Sequence, residues 1–310
     1  MAGRRAATRH LGLDLGGTNI KWVVAECDGA DWHVLDRGEV PTPAGGPDVV
    51  VPRLAAIGAA ALERCPGVET VGVGIPGLYD PATGATRFLV NVPGAWDGRP
   101  VASEVGAALA LPVQLINDAR AFGLAELRLG AGREVTAMVG FTLGTGVGGV
   151  FAVGDRVHQG HDGTGGELGH QTIEPDGPWC GCGNRGCLEA FARADQIAEA
   201  CGTSTAEEAV ERARAGDERA QAGVAQVGRY LGIGIANMVV VVNPDVVVIG
   251  GGVSAAFDLL IGPIEDELHR RVHVTSLERV RVMPAELGKW AGAIGAAIHG
   301  AEAGRVAAAD

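Results

Sequence analysis

Residues 11–25 read LGLDLGGTNIKWVVA, in which two apolar-rich runs flank the turn Gly16-Gly17-Thr18-Asn19. Short apolar runs on either side of a glycine pair are typical of two β-strands joined by a hairpin. Glycines allow backbone amides to approach phosphate oxygens, and a threonine hydroxyl donates a further hydrogen bond. The stretch therefore predicts a phosphate-binding hairpin, with an ordinary tight turn as the alternative. Its candidate residues are Asp14, Gly16, Gly17, Thr18 and Asn19.

A second hairpin of the same kind follows near the middle of the chain. The predicted strands Ala137–Leu143 and Gly148–Val153 are separated by Gly144-Thr145-Gly146. One such hairpin in each half of the chain indicates a nucleotide held in a cleft between the halves. The sequence contains no G-x4-G-K-[ST] loop, and a strand rather than a helix follows the glycines. A P-loop enzyme and a nicotinamide-dependent dehydrogenase are therefore both disfavoured.

The rest of the pattern predicts an α/β protein with two such halves. The further elements predicted in the first half are strands at Trp32–Val40, Thr70–Ile75 and Val113–Ile116 and helices at Val49–Arg64 and Ala119–Leu129. Those predicted in the second half are helices at Ala194–Cys201, Ala206–Ala215, Glu218–Val242 and Ala291–Ala303 and a strand at Val246–Ile249. We predict a smaller N-terminal domain of residues 1–117 plus about 292–310, and a larger domain of residues 118–291.

The composition argues against several classes of function. The chain has 310 residues, of which 47% are hydrophobic, and its formal net charge is −12. Such a chain can form about two cored domains and lacks the positive surface that neutralises nucleic-acid phosphates. The basic N-terminus leads into a strand-like segment rather than a signal peptide, and the apolar run Met238–Val242 is too short to span a membrane. We therefore expect a soluble cytoplasmic protein that binds neither nucleic acid nor membrane.

Three of the six cysteines are clustered, because Cys180, Cys182 and Cys187 have the spacing C-x-C-x4-C with glycines between them. Without a secretion signal, such cysteines are better explained as metal ligands than as disulfides. Glycine lets the backbone fold tightly enough for the sulfurs to converge on one ion, and His170 would complete a Cys3His set. Four protein ligands leave no place for a substrate water, so the pattern predicts a structural zinc that clamps the loop. The alternative is three incidental thiols in a glycine-rich loop.

Acidic and amide side chains around this loop and after one predicted strand are suited to a sugar. These candidates are Asn117, Asp118, Glu167, His170 and Glu189. Such groups, without a basic excess, match a neutral, hydroxyl-rich ligand that needs many directed hydrogen bonds. A zinc clamp would hold the two glutamates in a fixed geometry. For Asp118 taken alone, the alternative is a helix N-cap.

Together these motifs resemble those of the ROK family of sugar kinases and repressors. The resemblance runs from about residue 11 to residue 298 and rests on DLGGTN, GIPG, LINDARA, GTGVGGV, GELGH, CGCGNRGCLE and NPDVVVIGGGVS. It implies a two-domain actin/hexokinase-like ATPase fold of the ribonuclease H-like class, in which ATP, Mg²⁺ and a sugar bind in the interdomain cleft. A homodimer is common among proteins of this kind.

The resemblance also implies roles for individual residues. Zinc would be bound by His170, Cys180, Cys182 and Cys187, and the sugar by Asn91, Asn117, Asp118, Glu167, His170 and Glu189. Asp118 would be the general base, and Asp14 would orient Mg²⁺ and its waters. Nucleotide contacts would come from the two glycine hairpins.

Two further points concern the nucleoside site and one departure from the family pattern. The nucleoside would lie near Gly250–Gly252, with Gly251 and Gly252 as contacts, and the alternative for this triple glycine is a flexible turn. The segment Val90–Trp96 differs from the pattern of many relatives, at Val92 and Ala95, next to the predicted sugar contact Asn91.

Both enzymes and regulators share these motifs. Repressors of the family carry a DNA-binding module of roughly 60–80 residues before the kinase-like body, whereas about ten residues precede the first predicted strand here. A catalytically dead sensor would be expected to lack Asp118. We therefore expect an ATP-dependent kinase that converts glucose to glucose 6-phosphate. The alternatives are an N-acetylhexosamine or mannose kinase, since epimers differ by one or two hydrogen bonds, and a non-catalytic sugar-sensing regulator.

Overall fold

The computed structural model of the protein describes residues 7–307, and its side chains as far as residue 304. The first part of the chain forms β1 (Thr8–Leu15), β2 (Asn19–Asp28), β3 (Asp31–Pro41), α1 (Pro47–Arg64), β4 (Val68–Ile75), β5 (Gly77–Asp80), β6 (Ala85–Leu89), α2 (Val101–Leu109), β7 (Val113–Asn117) and α3 (Asp118–Leu129). The second part forms β8 (Ala137–Leu143), β9 (Val147–Val153), β10 (Arg156–Val157), α4 (Glu189–Ala192), α5 (Ala194–Cys201), α6 (Ala206–Arg214), α7 (Glu218–Val242), β11 (Val246–Gly250), α8 (Phe257–Arg271), β12 (Arg281–Pro284) and α9 (Ala291–Ala307). These elements form two compact units.

The first unit contains residues 7–125, 159–165 and 290–307 of the described chain. Its main sheet has the strand order β3-β2-β1-β4-β7. Strand β2 is antiparallel to its neighbours β1 and β3, whereas β1, β4 and β7 run parallel to one another. The side chains of α1 and α2 pack on one face of this sheet and form its apolar core. Helix α9 contacts β1, β4 and β7.

Strand β1 shows how the two faces are divided. Leu11 and Leu13 are fully buried in the core with α1 and α2, and Gly12 between them faces the opposite side, because side chains alternate along a strand. That side is covered by α9 at very short range. A Cβ placed on Gly12 would overlap the carbonyl oxygen of Ala293, and a Cβ placed on Gly72 of β4 would overlap that of Ala296. The backbone of α9 therefore lies directly on strands that carry glycine.

We expect Gly72→Ala to lower the free energy of unfolding by about 3 kcal/mol, because the added methyl meets helix backbone that cannot rotate away. Urea unfolding followed by circular dichroism measures the change. Gly262→Ala in α8 is the matched control, since a Cβ there meets nothing within 4 Å. It should be neutral or stabilising. Equal stability of the two variants would show that α9 can move away from the sheet.

The second unit contains residues 126–158 and 166–289. Its sheet has the strand order β10-β9-β8-β11-β12. Strand β9 is antiparallel to β8 and β10, whereas β8, β11 and β12 run parallel. If the five strands of each main sheet are numbered in chain order, both sheets have the spatial order 3-2-1-4-5. In each sheet only the second strand is antiparallel to the others. This repeated topology confirms the predicted actin/hexokinase-like ATPase fold of the ribonuclease H-like class.

Helix α7 is the main support of the second unit's core. Among the described residues it is the helix long and apolar enough to cross a membrane, but 56% of its most apolar stretch is buried within the protein. It packs along α8 and against α5 and α6. Gly228 and Gly232 allow the close approach to α8, since a Cβ on Gly228 would lie 2.9 Å from the Cβ of Pro263. Core packing accounts for its apolar composition.

The structure differs from the sequence prediction in two respects. The predicted elements are present with ends shifted by a few residues, but the β5–β6 hairpin, β10, α4, α8 and β12 were not predicted, nor were the bounds of α2. We predicted the first domain to end at residue 117, whereas the first unit continues to Ala125. The reason is that α3 lies against α9, where a Cβ on Gly295 would overlap the carbonyl oxygen of Ala121. Residues 159–165 also belong to this unit, and Gly163 in that segment contacts Pro81.

Candidate functional site

The predicted site residues of the first unit lie at the carboxyl ends of its parallel strands. Asp14, Gly74 and Ile116 occupy one level of the register of β1, β4 and β7, at the edge where α/β proteins bind ligands. The Asp14 carboxylate fits between glycines, since a Cβ on Gly292 would lie 2.6 Å from Oδ2 and one on Gly74 3.4 Å from Oδ1. Burial raises the pKa of Asp14, and Lys21, whose Nζ lies 3.9 Å from Oδ2, opposes this shift. A buried carboxylate with so distant a counter-charge favours a further cation.

Two hydrogen bonds hold the turn between β1 and β2. The amide N of Gly16 donates to the carbonyl oxygen of Asn19 at 3.0 Å. The hydroxyl of Thr42 donates to the carbonyl oxygen of Gly16 at 2.6 Å. Gly17 and Thr18 at the tip are exposed. The turn is therefore fixed from behind, and its tip is open to a ligand.

Asn117 and Asp118 have different roles at the start of α3. Asn117 is the N-cap, because its Oδ1 accepts from the amide N of Arg120 at 3.2 Å. Asp118 is the first helical residue, and its Oδ1 accepts from the amide N of Ala119 at 2.8 Å and from Asn117 Nδ2 at 3.1 Å. Asn117 Nδ2 also donates to the carbonyl oxygen of Gly77 at 3.2 Å. The N-cap interpretation of Asp118 is therefore wrong, and the Asn117 amide instead orients the Asp118 carboxylate.

Arg120 is a site residue that the sequence did not indicate. It is only 2% exposed, and its Nε and Nη2 both donate to the carbonyl oxygen of Gly165, at 2.9 and 2.7 Å. Because burying a guanidinium is costly, such paired, charge-assisted bonds constrain the backbone strongly. They fix the segment 159–165, which ends two residues before Glu167. The sequence signal that could have indicated this role is a charged residue, Arg120, at the third position of the largely apolar helix α3.

Asn91 lies beside the first hairpin. Its φ of 61° is in the left-handed region, which asparagine tolerates better than most residues. A Cβ on Gly17 would lie 2.7 Å from the carbonyl oxygen of Asn91, so the two backbones are in close contact. The buried indole of Trp96 shapes this loop, because its Nε1 donates to the carbonyl oxygens of Val92 at 3.0 Å and Pro93 at 3.3 Å. The Asn91 side chain is exposed at the loop's surface.

The predicted nucleotide residues of the second unit also share one sheet edge. Gly144-Thr145-Gly146 follows β8, and Gly251-Gly252 follows its parallel neighbour β11. Gly251 has a φ of 87°, and a Cβ there would overlap the carbonyl oxygen of Leu143. This position requires glycine, so the triple glycine is a fixed turn rather than a flexible one. Thr145 is exposed at the tip of its hairpin.

The four predicted metal ligands lie within 4.8 Å of one another. Cys182 Sγ is 3.7 Å from Cys187 Sγ, and Cys180 Sγ is 3.6 Å from His170 Nδ1. Tetrahedral zinc, with Zn–S near 2.3 Å and Zn–N near 2.0–2.1 Å, needs separations of about 3.8 Å between sulfurs and about 3.6 Å between sulfur and nitrogen. The donor set therefore has the chemistry and the spacing that zinc requires.

Without a cation, the two buried thiols of the cluster, Cys180 and Cys187, stay protonated. Burial raises the pKa of Cys180 to about 12 and also raises the pKa of Cys187, whereas a backbone hydrogen bond from Asn184 lowers that of Cys182. Three thiols in contact become thiolate ligands only when a cation lies between them. The apolar cluster of this loop contains Cys180, Cys187 and Ala190 alone. The loop's own apolar cluster is therefore small.

The predicted sugar contacts of the second unit lie on segments that touch the start of β9. The turn that runs from Glu167 to His170 packs against β9, with Glu167 exposed and His170 half-buried. Glu189 reaches the same strand, because its Oε2 accepts from the amide N of Val147 at 2.9 Å. Its Oε1 accepts from the thiol of Cys180 at 3.5 Å. The cysteine loop and the glutamates are therefore one connected arrangement.

Comparisons with known proteins agree with this geometry. The model of the ROK family matches residues 10–301. A glucokinase of Thermotoga maritima is 34% identical over 308 residues, which cover 93% of this chain and 95% of that protein. The crystal structure of a ROK hexokinase from Thermus thermophilus is 36% identical with a TM-score of 0.82, over 96% of this chain and 100% of that one. A ROK family glucokinase from Streptomyces griseus, in complex with glucose and AMPPNP, is 30% identical with a TM-score of 0.82, over 95% and 99% of the two chains.

Proposed function

The chain belongs to the ROK family, and on that premise we propose that it is a glucokinase, which transfers the γ-phosphoryl group of ATP to a hydroxyl of glucose. The observation that carries the proposal is the Asp118 carboxylate, held in one orientation at the start of α3 by the Asn117 amide and the amide N of Ala119. A sensor that only binds sugar has no need of a positioned proton acceptor. Relatives named as glucokinases support glucose as the acceptor.

In this proposal Asp118 takes the proton from the C6 hydroxyl of glucose as the phosphoryl group arrives. Its two hydrogen bonds hold the carboxylate in one orientation at the N-terminal end of α3. Phosphoryl transfer depends mainly on positioning and charge stabilisation, with one group to accept the hydroxyl proton. Asn117 acts on the sugar through Asp118, because both N–H groups of its amide are already used within the protein.

The nucleotide is assigned to the glycine hairpins. The exposed Thr18 and Thr145 and the neighbouring backbone amides would bind phosphate oxygens. Gly251 and Gly252 would contact the nucleoside. Asp14 would hold Mg²⁺ through water, and that ion supplies neutralisation of the phosphate charge.

The sugar and zinc assignments meet at His170. Its Nδ1 faces the cysteine sulfurs, so the proposed zinc site of His170, Cys180, Cys182 and Cys187 leaves Nε2 for a sugar hydroxyl. A closed set of four protein ligands makes this zinc structural rather than catalytic. The other proposed sugar contacts are Asn91, Asp118, Glu167 and Glu189, and Asn117, which was expected to contact the sugar, is instead proposed to orient Asp118.

A coupled assay across sugars and phosphoryl donors tests the function. We expect kcat/KM to be highest for glucose with ATP, by about tenfold or more over mannose, fructose and the N-acetyl hexosamines, and polyphosphate to be a poor donor. Faster turnover of an N-acetyl hexosamine or of mannose would support the alternative kinases. Sugar binding in calorimetry without turnover of any sugar would identify a regulator and refute the proposal.

The proposal also includes localisation, partners and oligomeric state. We propose a soluble, cytoplasmic homodimer with no nucleic-acid or membrane partner. Light scattering coupled to size-exclusion chromatography measures the oligomeric state directly.

A further inference from the structure

The proposed nucleotide-binding hairpin of the second unit has few internal contacts that fix its conformation. Its turn is Gly144-Thr145-Gly146, and the Thr145 side chain is exposed. A hydrogen bond within the turn joins Gly144 N to Gly146 O at 3.0 Å. Two glycines in three residues lose more conformational freedom on ordering than any other residues would. The shape of this turn therefore depends on contacts from outside it.

Two outside hydrogen bonds reach the hairpin from the segment that follows the cysteine loop. The amide N of Ala194 donates to the carbonyl oxygen of Gly144 at 2.8 Å. The amide N of Val147, the residue after the turn, donates to Glu189 Oε2 at 2.9 Å. A Cβ on Gly146 would lie 2.6 Å from that same oxygen, so the glycine leaves just the space that the carboxylate occupies.

We infer that Glu189 is a positioning residue for the nucleotide, which holds the hairpin 144–147 in its phosphate-binding shape. The inference rests on the proposed function and deepens it, since Glu189 was assigned there to the sugar. A carboxylate that accepts from a backbone N–H makes one of the stronger protein hydrogen bonds. Because Glu189 follows Cys187 by two residues, its bond from Val147 N ties the hairpin to the cysteine loop.

Two substitutions test whether the length or the charge of the Glu189 side chain matters for nucleotide binding. Glu189→Asp keeps the charge but is one methylene shorter, so it cannot span the distance to Val147 N. Glu189→Gln keeps the length and a carbonyl oxygen that accepts the same N–H. We expect the Kd of a non-hydrolysable ATP analogue, measured by calorimetry without sugar, to rise about tenfold in Glu189→Asp and by no more than about threefold in Glu189→Gln.

Glu167→Asp is the matched control. Glu167 is also a proposed sugar contact, and the same shortening should weaken glucose binding. Its nucleotide Kd, again measured without sugar, should equal that of the unsubstituted protein. Metal content and thermal unfolding are measured on every variant. If Glu189→Asp loses its metal, the comparison is with metal-stripped unsubstituted protein, which retains the bond to Val147 and should bind nucleotide more tightly than the variant.

An unchanged nucleotide Kd in Glu189→Asp would overturn the inference. So would an equal rise in Glu167→Asp, or a rise in Glu189→Gln as large as that in Glu189→Asp, because reach would then not be the decisive property. Failure of the unsubstituted protein to bind the ATP analogue is a separate result, which refutes the proposed function itself.

Discussion

Asp118→Asn is expected to lower the turnover of glucose by about 10²–10⁴-fold, the usual span for a positioned general base, while glucose still binds. Asparagine keeps the shape of the side chain and an oxygen for the bonds from Ala119 N and Asn117 Nδ2. It removes only the capacity to accept a proton. Steady-state kinetics measures the turnover, and calorimetry measures glucose affinity.

Asp195→Asn is the control for this substitution. Asp195 also lies in the first turn of a helix, α5, and its Oδ1 accepts from the amide N of Gln196 at 2.8 Å and from Arg193 Nε at 2.7 Å. Like Asp118 it accepts from the amide N of the next residue, although its second partner is a guanidinium, and it has no proposed role in catalysis. Turnover of Asp195→Asn should therefore stay within about twofold of normal. Near-normal turnover in Asp118→Asn would remove Asp118 from the mechanism.

Cys180→Ser and Cys187→Ser are expected to lose the proposed zinc, about one ion per chain, and to lower turnover of glucose by about 10–100-fold. A serine hydroxyl is a much poorer zinc ligand than a thiolate, and the loop's own apolar cluster is only three residues. Without the ion, His170 and the turn that carries Glu167 would lose their link to the cysteine loop, whereas the bond from Val147 N to Glu189 does not depend on it. Metal analysis of purified protein and glucose kinetics give the two readouts.

Cys201→Ser provides the comparison for the cysteine variants. Its thiol is also buried in the second unit, where it donates to the carbonyl oxygen of Ala220 at 3.4 Å, but it lies outside the metal cluster. This variant should keep both zinc and activity. Retention of metal and activity in Cys180→Ser and Cys187→Ser would refute the zinc clamp, as would full activity after chelation of the unsubstituted protein.

Elements with strong local signals could be predicted from the sequence. The first hairpin is one, because its alternating runs and glycine pair specify the observed register, in which Asp14 faces Lys21 and Leu15 faces Ile20. Helix α8 could not be predicted in the same way. Its N-cap position is Ala256, which makes no side-chain cap, and Pro263 lies within it. It is stabilised by packing against α7, so the decisive contacts are with residues distant in sequence.

The types of residue in the candidate site could be predicted from the sequence, but their hydrogen-bond partners could not. Asn117 and Asp118 are both good N-cap residues, and only the bond from Arg120 N to Asn117 Oδ1 decides between them. The bonds from Arg120 to Gly165 and from Val147 to Glu189 join residues more than 40 positions apart. Periodicity and turn signals act over a few residues, so such pairings become visible only when the chain is folded.

Because α9 follows the second unit in the chain, the first unit cannot be completed during translation until α9 has been synthesised. Strands β1, β4 and β7 are made first, but one face of their sheet is completed only by residues 291–307. The second unit, residues 126–158 and 166–289, has left the ribosome by then. The first unit is thus completed only after the second unit has been synthesised, and the face that carries Gly12 and Gly72 stays uncovered until then. A growing chain of this kind exposes that face to aggregation and to chaperones until α9 emerges.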